Sequence, residues 1–198
     1  PDLEELYKTL VASESKSMLK KYLTKSVYSK LKNKKTQSGL GLDVCIRYGV
    51  NNLDSSIGVY ASDIDAYDVY KELFNPIIKK YHGIPNMVGF KHPQSNFEFD
   101  DDCDADLDPS GKFVTSTKIS ITRNIEGYPL RLGMNKEQLL EVESKVKEIL
   151  EGLDGDLKGK YLSLKDIDDD TKKTLIENDH LFKKGDRYLE FWPEGRAI

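Results

Sequence analysis

An acidic, proline-containing stretch divides this 198-residue sequence into two parts with different periodicities. Seven of the eleven residues from Glu98 to Asp108 are acidic, and Pro85, Pro93 and Pro109 lie around them. Proline and dense like charge are typical of a connecting segment. We therefore expect an all-helical domain over residues 1–90, an acidic linker loop over 91–111, and a second domain over 112–198.

Apolar side chains in the first part recur at helical spacing. The clearest set recurs every four residues and comprises Leu19, Leu23, Val27 and Leu31. We expect Thr24 to cap a new helix within this set, and Gly49 to end the next helix, because glycine accepts the left-handed conformation. Pro76 should interrupt the following helix, so that Asn75 caps a fresh one that ends near Gly83.

The second part mixes strand and helix patterns. Residues 112–122 are rich in β-branched side chains that alternate with period two, which predicts a strand. Asn135 and Gln138 form a capping-box pattern that begins a strong helix. We expect the buried face of that helix to comprise Leu139, Val142, Val146, Ile149 and Leu153. Short strands over 160–164 and 187–192 and a helix over 168–178 complete the pattern, so the fold class is α+β.

Composition excludes several functions. The net charge is −4, from 30 basic and 34 acidic side chains, so the whole molecule is not a general polyanion binder. Eight lysines lie between Lys16 and Lys35, interleaved with leucines as on the solvated face of a helix, and we expect no nucleic-acid partner. No apolar run approaches the roughly 20 residues of a membrane span. The first five residues lack a secretory pattern, which favours a cytoplasmic protein.

The sequence offers no metal-binding or disulfide pattern. Cys45 and Cys103 lie far apart, and we expect two free thiols, with Cys45 buried. Residues 102–106 resemble the beginning of a calcium-binding loop, but Leu107 and Phe113 stand where that loop requires glycine and glutamate. The three histidines are scattered. We expect no metal site.

Several segments spread over nearly the whole chain have counterparts, in the same order, in one protein family. They are Leu23–Lys25, Asn52–Ala61, Pro76–Ile78, Tyr81–Gly83, Ser116–Thr117, Gly127–Pro129, Leu181–Lys183 and Gly185–Arg187. They resemble the phosphagen (guanidino) kinases, and most of all the arginine kinases among them. The resemblance implies a small all-α N-terminal domain followed by the first part of a domain with an antiparallel sheet flanked by helices. It also implies transfer of the γ-phosphoryl group of Mg-ATP to a guanidino nitrogen.

The family's substrate-specificity loop resembles residues 54–60, which we call the substrate loop. In the family, backbone groups and a tyrosine hydroxyl of this loop hold the carboxylate and amine of arginine. The resemblance assigns this role to Ser55, Ser56, Ile57, Gly58 and Tyr60. Ser56 replaces a glycine that is usual in arginine kinases, which changes the loop where its backbone approaches the substrate. A second interpretation stays open, in which the loop is vestigial and only closes the helical domain.

This sequence departs further from the family pattern at the phosphate-binding strand. The family carries two arginines on one face of this strand, and Lys118 and Ser120 stand there instead. Arg123 fits another phosphate-contacting arginine, whereas His180 is shifted by one residue from the family's adenine-contacting histidine, with Asp179 in its place. The resemblance therefore implies that Lys118, Ser120, Arg123 and His180 form a vestigial nucleotide site.

The family's catalytic carboxylate, reactive cysteine and remaining phosphate-binding arginines lie beyond the segment that ends at Ile198. We therefore expect no catalytic residue in this chain and no cofactor as it stands, with ATP and Mg²⁺ relevant only if the family activity is retained. The first hypothesis is a catalytically silent component whose open sheet is covered by another protein chain or by a second copy. The second is a fragment of an active arginine kinase, and the third is a module that senses arginine or ATP.

Overall fold

The computed structural model describes residues 2–94, 106–117, 122–178 and 180–181. In chain order the helices are α1 (Leu3–Ala12), α2 (Met18–Tyr22), α3 (Lys25–Leu31), α4 (Leu42–Asn51), α5 (Ala66–Val69), α6 (Lys71–His82), α7 (Lys136–Glu151) and α8 (Asp169–Glu177). A short 3₁₀ turn, Gly155–Leu157, precedes α8. The six helices of the first part confirm its predicted helical character.

Polar side chains determine where most of these helices begin. Thr24 accepts a hydrogen bond from the amide of Val27 at the beginning of α3, which confirms the predicted cap. Asn135 and Gln138 exchange reciprocal bonds at the beginning of α7, as their spacing predicts. Each bond satisfies an amide that has no acceptor within the helix, a gain of about 1 kcal/mol per cap.

The hydrophobic core lies among α1 to α6. Its fully buried helical side chains include Leu6, Leu10, Leu19, Leu31, Leu42, Ile46 and Leu73. The predicted apolar set on α2 and α3 belongs to this core, with Val27 packed at its margin. Tyr70 is fully buried between α5 and α6, and its hydroxyl lies 2.9 Å from the carbonyl oxygen of Lys34 and 3.0 Å from that of Leu40. The core thus fixes the connection between α3 and α4 through a buried hydrogen bond.

Gly49 does not end a helix, contrary to the sequence expectation, because α4 continues to Asn51. The reason for glycine at this position is space. A Cβ atom on Gly49 would lie 1.9 Å from the carbonyl oxygen of Gly58 and 2.5 Å from its Cα. The backbone of the substrate loop therefore lies directly against α4, and only a residue without a side chain permits that contact.

Pro76 does not divide α6, so the prediction of a fresh helix capped by Asn75 is wrong. The helix runs from Lys71 through Pro76 to His82. Proline removes one backbone donor, but Leu73, Phe74 and Ile77 are buried around it and hold the helix by packing. The predicted end is confirmed, since Gly83 adopts the left-handed conformation with φ of 66°.

The described residues of the second part contain helices and irregular segments but no strand. Of the strand predicted over 112–122, residues 112–117 and 122 are described and lack regular strand structure. Residues 160–164, predicted as a second strand, also lack it, and the strand predicted over 187–192 lies outside the described residues. An isolated strand is marginal without a hydrogen-bonded neighbour. The antiparallel sheet and the domain boundaries at 90 and 111 therefore stay predictions.

The predicted apolar face of α7 is only partly covered. Leu139 is buried, Val142, Val146 and Leu153 are half-buried, and Ile149 is 66% exposed. The prediction is thus wrong for Ile149, whose side chain faces solvent. No helix among the described residues has both the length and the apolar character that crossing a bilayer requires.

The contact between α4 and the substrate loop predicts that Gly49→Ala destabilises the protein, although the same change stabilises most helices. Alanine in an open helix position would stabilise by about 1 kcal/mol relative to glycine. Here we expect a loss of about 2 kcal/mol or more in the free energy of unfolding, because the added methyl group meets backbone atoms. Urea denaturation followed by circular dichroism measures the change. Gly152→Ala is the control and should stay within about 0.5 kcal/mol.

The buried hydroxyl of Tyr70 predicts a cost for its removal. Tyr70→Phe leaves the carbonyl of Lys34 without this donor, and we expect a loss of about 1–2 kcal/mol in the free energy of unfolding. The matched control is Tyr81→Phe, because the Tyr81 side chain is 59% exposed. Equal urea midpoints for the two variants would contradict the assigned hydrogen bond.

Candidate functional site

The substrate loop is attached by its backbone to the beginning of α2. The amide of Met18 donates to the carbonyl of Ser56 at 2.9 Å, and the amide of Leu19 donates to that of Ile57 at 2.8 Å. The first amides of a helix have no acceptor within the helix, and here the loop carbonyls are their acceptors. The loop is thus part of the folded helical domain before any ligand is present.

Gly58 occupies the closest approach of the loop to this domain. Its φ is 80°, a conformation that disfavours residues with a side chain. A Cβ atom at this position would also lie 3.1 Å from the Cβ of Leu19 and 3.3 Å from that of Ser17. Conformation and space together therefore require glycine in the middle of the loop.

The loop leaves this position along α4. The amide of Tyr60 donates to the carbonyl of Cys45 at 3.0 Å. The ring of Tyr60 packs edge-on against Tyr48, with ring centroids 4.9 Å apart, and the side chain is 39% exposed. Tyr60 is therefore fixed at its backbone and ring while it stays accessible to a ligand.

The middle of the substrate loop has three amides without an acceptor among the described residues. No described residue accepts a hydrogen bond from the amides of Ser56, Ile57 and Gly58. Ser56 is exposed, whereas Ser55 and Ile57 are half-buried. Consecutive amides beside an accessible phenol can bind an anionic group such as a carboxylate.

Cys45 has a structural role beside the loop. Its thiol is fully buried and lies 3.7 Å from the hydroxyl of Ser62, which is also buried. Burial raises the pKa of the Cys45 thiol above its ordinary value, so the thiol stays protonated at neutral pH. The predicted burial is confirmed, and Cys103 lies outside the described residues.

The structure does not test the predicted nucleotide site. Lys118 and Ser120 lie outside the described residues. Arg123 is exposed, and its guanidinium donates to the carbonyl of the adjacent Thr122. His180 is exposed at the end of α8, where its amide donates to the carbonyl of Leu175. The four assignments therefore stay predictions.

The described part of the chain brings together no group of three or more His, Cys, Asp or Glu side chains that could hold a metal ion. Of residues 102–106, which resemble the beginning of a calcium-binding loop, only Asp106 belongs to the described part of the chain.

One neighbour of the loop was missed by the sequence analysis. Residues 130–133, which we call the 130–133 turn, contact Ser62 just beyond the loop. The amide of Leu130 donates to the carbonyl of Ser62 at 2.9 Å. The only sequence signal for this contact was Gly133, a glycine two residues before the cap of α7. Its position in the sequence does not show that it lies beside Ser62.

Comparison with known proteins identifies two matching family descriptions. Residues 13–79 match "ATP:guanido phosphotransferase, N-terminal domain", and residues 141–198 match "ATP:guanido phosphotransferase, C-terminal catalytic domain". The first match contains the whole substrate loop, and the second begins within α7.

Individual relatives agree with these matches. The chain is 45% identical to an arginine kinase of Schistocerca americana over 207 residues, and 45% identical to arginine kinase 1 of Drosophila melanogaster over 208 residues. Each alignment covers 99% of this chain and 56% of the relative. The chain thus spans about half the length of the curated relatives that it matches.

Solved structures show a similar arrangement. A duplicated taurocyamine kinase from Schistosoma mansoni, bound to transition-state-analogue components, matches with a TM-score of 0.75 at 25% identity, covering 100% of this chain and 28% of that one. A lombricine kinase matches with a TM-score of 0.68 at 26% identity, covering 93% of this chain and 52% of that one.

The burial of Cys45 predicts slow thiol labelling. In a Cys103→Ser background, Ellman's reagent at pH 8 should react with Cys45 only as fast as the helical domain opens, because the thiol is inaccessible and its pKa is raised. Absorbance at the thiolate product wavelength measures the rate, and urea should restore full reaction. Rapid stoichiometric labelling of the folded protein would contradict the assigned burial.

Proposed function

Because the chain belongs to the phosphagen kinases, the ATP:guanido phosphotransferase family, we propose that the protein phosphorylates arginine and that this chain binds the substrate's amino-acid end. The observation that supports this proposal is the hydrogen bonding of the substrate loop. Its carbonyls are tied to α2, while the amides of Ser56, Ile57 and Gly58 have no acceptor among the described residues. Such a loop is organised for a ligand before the ligand binds.

The loop's chemistry suits the α-carboxylate of an amino acid. Backbone amides bind a carboxylate strongly because the bond is assisted by the ligand's charge. Tyr60 adds an accessible phenol that is held by its amide and by Tyr48. Since the loop is fixed in advance, binding requires little ordering, and this preserves affinity.

Arginine is the substrate that the relatives support. The relatives at 45% identity are arginine kinases, whereas the taurocyamine and lombricine kinases are only 25–26% identical. The chain spans about half of the arginine kinases. We therefore assign the binding of the arginine carboxylate to this chain, and the transfer step to the whole protein.

The chain's contribution to the reaction is positioning. Phosphoryl transfer depends on holding the nucleophile in line with the γ-phosphorus and on neutralising phosphate charge. A carboxylate fixed at the substrate loop anchors one end of arginine, which restricts the position of the guanidino nitrogen. ATP enters as the second substrate with Mg²⁺, and since the described residues offer no group that fits a metal ion, we assign no step to it.

One sequence observation favours a second candidate function. Lys118 and Ser120 stand where the family has two phosphate-binding arginines. Lysine keeps a point charge without the planar fork of arginine, and serine is neutral. On this alternative the protein is catalytically silent and binds arginine or ATP as a sensor, or packs against another chain or a second copy as a structural component.

A coupled assay separates the two candidates. Arginine-dependent release of ADP from Mg-ATP by the protein supports the kinase and excludes the silent alternative. Arginine binding without ADP release supports the silent alternative. Lys118→Arg combined with Ser120→Arg provides a further comparison, because a gain of turnover in that variant would assign the loss to these two positions.

The proposed role of Tyr60 predicts a specific loss of affinity. Calorimetric titration should show that Tyr60→Phe raises the dissociation constant for arginine about tenfold, since one hydrogen bond to a charged group is lost. Tyr67→Phe is the matched control, because Tyr67 is an exposed tyrosine outside the loop, and its affinity should be unchanged.

The same titration tests the recognised group. Agmatine has the guanidino group of arginine but lacks its carboxylate, so its binding should be much weaker than that of arginine. Equal binding of both ligands would contradict carboxylate recognition. If the wild-type protein releases no heat with arginine and gains no thermal stability from it, the proposed function is wrong.

A further inference from the structure

We propose that the 130–133 turn positions the substrate loop, so that the second part of the chain controls how tightly the loop holds its ligand. This inference rests on the proposed function, because it concerns the same arginine-binding loop. It adds a positioning element, centred on Gly133, that lies outside the helical domain carrying the loop.

The first supporting contact is a backbone hydrogen bond. The amide of Leu130 donates to the carbonyl of Ser62 at 2.9 Å, and the turn is closed by the amide of Gly133 donating to the carbonyl of Leu130 at 2.7 Å. Ser62 is fully buried and lies two residues after Tyr60. The turn therefore contacts the chain immediately where it leaves the substrate loop.

The second contact is a close approach of backbone to backbone. A Cβ atom on Gly133 would lie 2.2 Å from the carbonyl oxygen of Ser62 and 2.8 Å from the Cδ1 of Leu40. The nearest atom belongs to the backbone, so a rotamer change cannot relieve the clash. Gly133 is thus required by space, since its φ is not in the left-handed range.

Contacts on the opposite side leave Ser62 little freedom to move. Its hydroxyl lies 3.7 Å from the buried thiol of Cys45, and the carbonyl of Cys45 accepts the amide of Tyr60. Residues 60–62 are therefore held between α4 and the 130–133 turn. Close-packed interiors transmit displacement, so a shift of Ser62 must also move Tyr60.

The turn also connects to the next helix. Asn135 caps α7 only two residues beyond Gly133, and Leu139 in its first turn is buried. Any event that moves the beginning of α7 consequently changes the contact with Ser62. By thermodynamic linkage, arginine on the loop must stabilise the docked turn by the same factor that the docked turn favours arginine.

The first experiment compares Gly133→Ala with Gly159→Ala by calorimetric titration with arginine. A Cβ atom on Gly159 meets nothing within 4 Å, and its φ is not positive, so this variant should bind like the wild type. We expect Gly133→Ala to raise the dissociation constant roughly fivefold or more, while its far-UV circular dichroism stays native. Equal affinities for the two variants overturn the inference but leave the proposed function standing.

The second experiment uses the wild-type protein and covers the case in which Gly133→Ala fails to fold. Saturating arginine should slow hydrogen exchange at the amides of Tyr60 and Leu130, while the amide of Gly152, bonded to Glu148 at 3.1 Å in α7, stays unchanged. Slowing at Tyr60 without slowing at Leu130 overturns the inference alone. Absence of any arginine binding by the wild-type protein overturns the proposed function and this inference together.

Discussion

The close approach of Gly49 to Gly58 determines the geometry of everything around the substrate loop. It brings the loop backbone into contact with α4, which places the carbonyls of Ser56 and Ile57 in reach of the first amides of α2. The loop therefore completes hydrogen bonds that the helical domain needs for its own stability. A loop whose carbonyls accept the first amides of a helix cannot be loosened without cost to the fold, and this explains how a segment without regular structure remains ordered.

Local sequence signals predicted the features that depend on neighbouring residues. The caps at Thr24 and Asn135 and the left-handed end at Gly83 each follow from side-chain or backbone preferences within a few positions. Signals failed where a distant contact decides the outcome. Gly49 resembles a helix end because it is a glycine, but the reason for glycine there is the contact with Gly58, nine positions away. Pro76 resembles a helix break because local propensity does not include the burial of its neighbours, which keeps the helix continuous.

In the candidate site too, some features were predicted from the sequence and others depend on contacts that only the structure shows. The residues of the substrate loop were identified through family resemblance, and the structure places them together on the helical domain. Resemblance could not show which backbone groups were already used, and this required the hydrogen bonds to α2 and α4. Gly133 was missed for a related reason, since its importance lies in the space beside Ser62, which no motif records. The predicted nucleotide residues concern a sheet whose pairing the sequence pattern alone could not establish.

The attachment of the loop through main-chain atoms has a consequence for protein engineering. Met18 and Leu19 donate to carbonyl groups, which every amino acid supplies, so these two hydrogen bonds do not depend on the side chains of Ser56 and Ile57. The Ile57 side chain nevertheless packs against the core, whereas Ser56 is exposed. Randomising position 56 alone would therefore keep the scaffold intact, and on the proposed function it offers a route to selectivity for a different guanidino compound without redesign of the underlying domain.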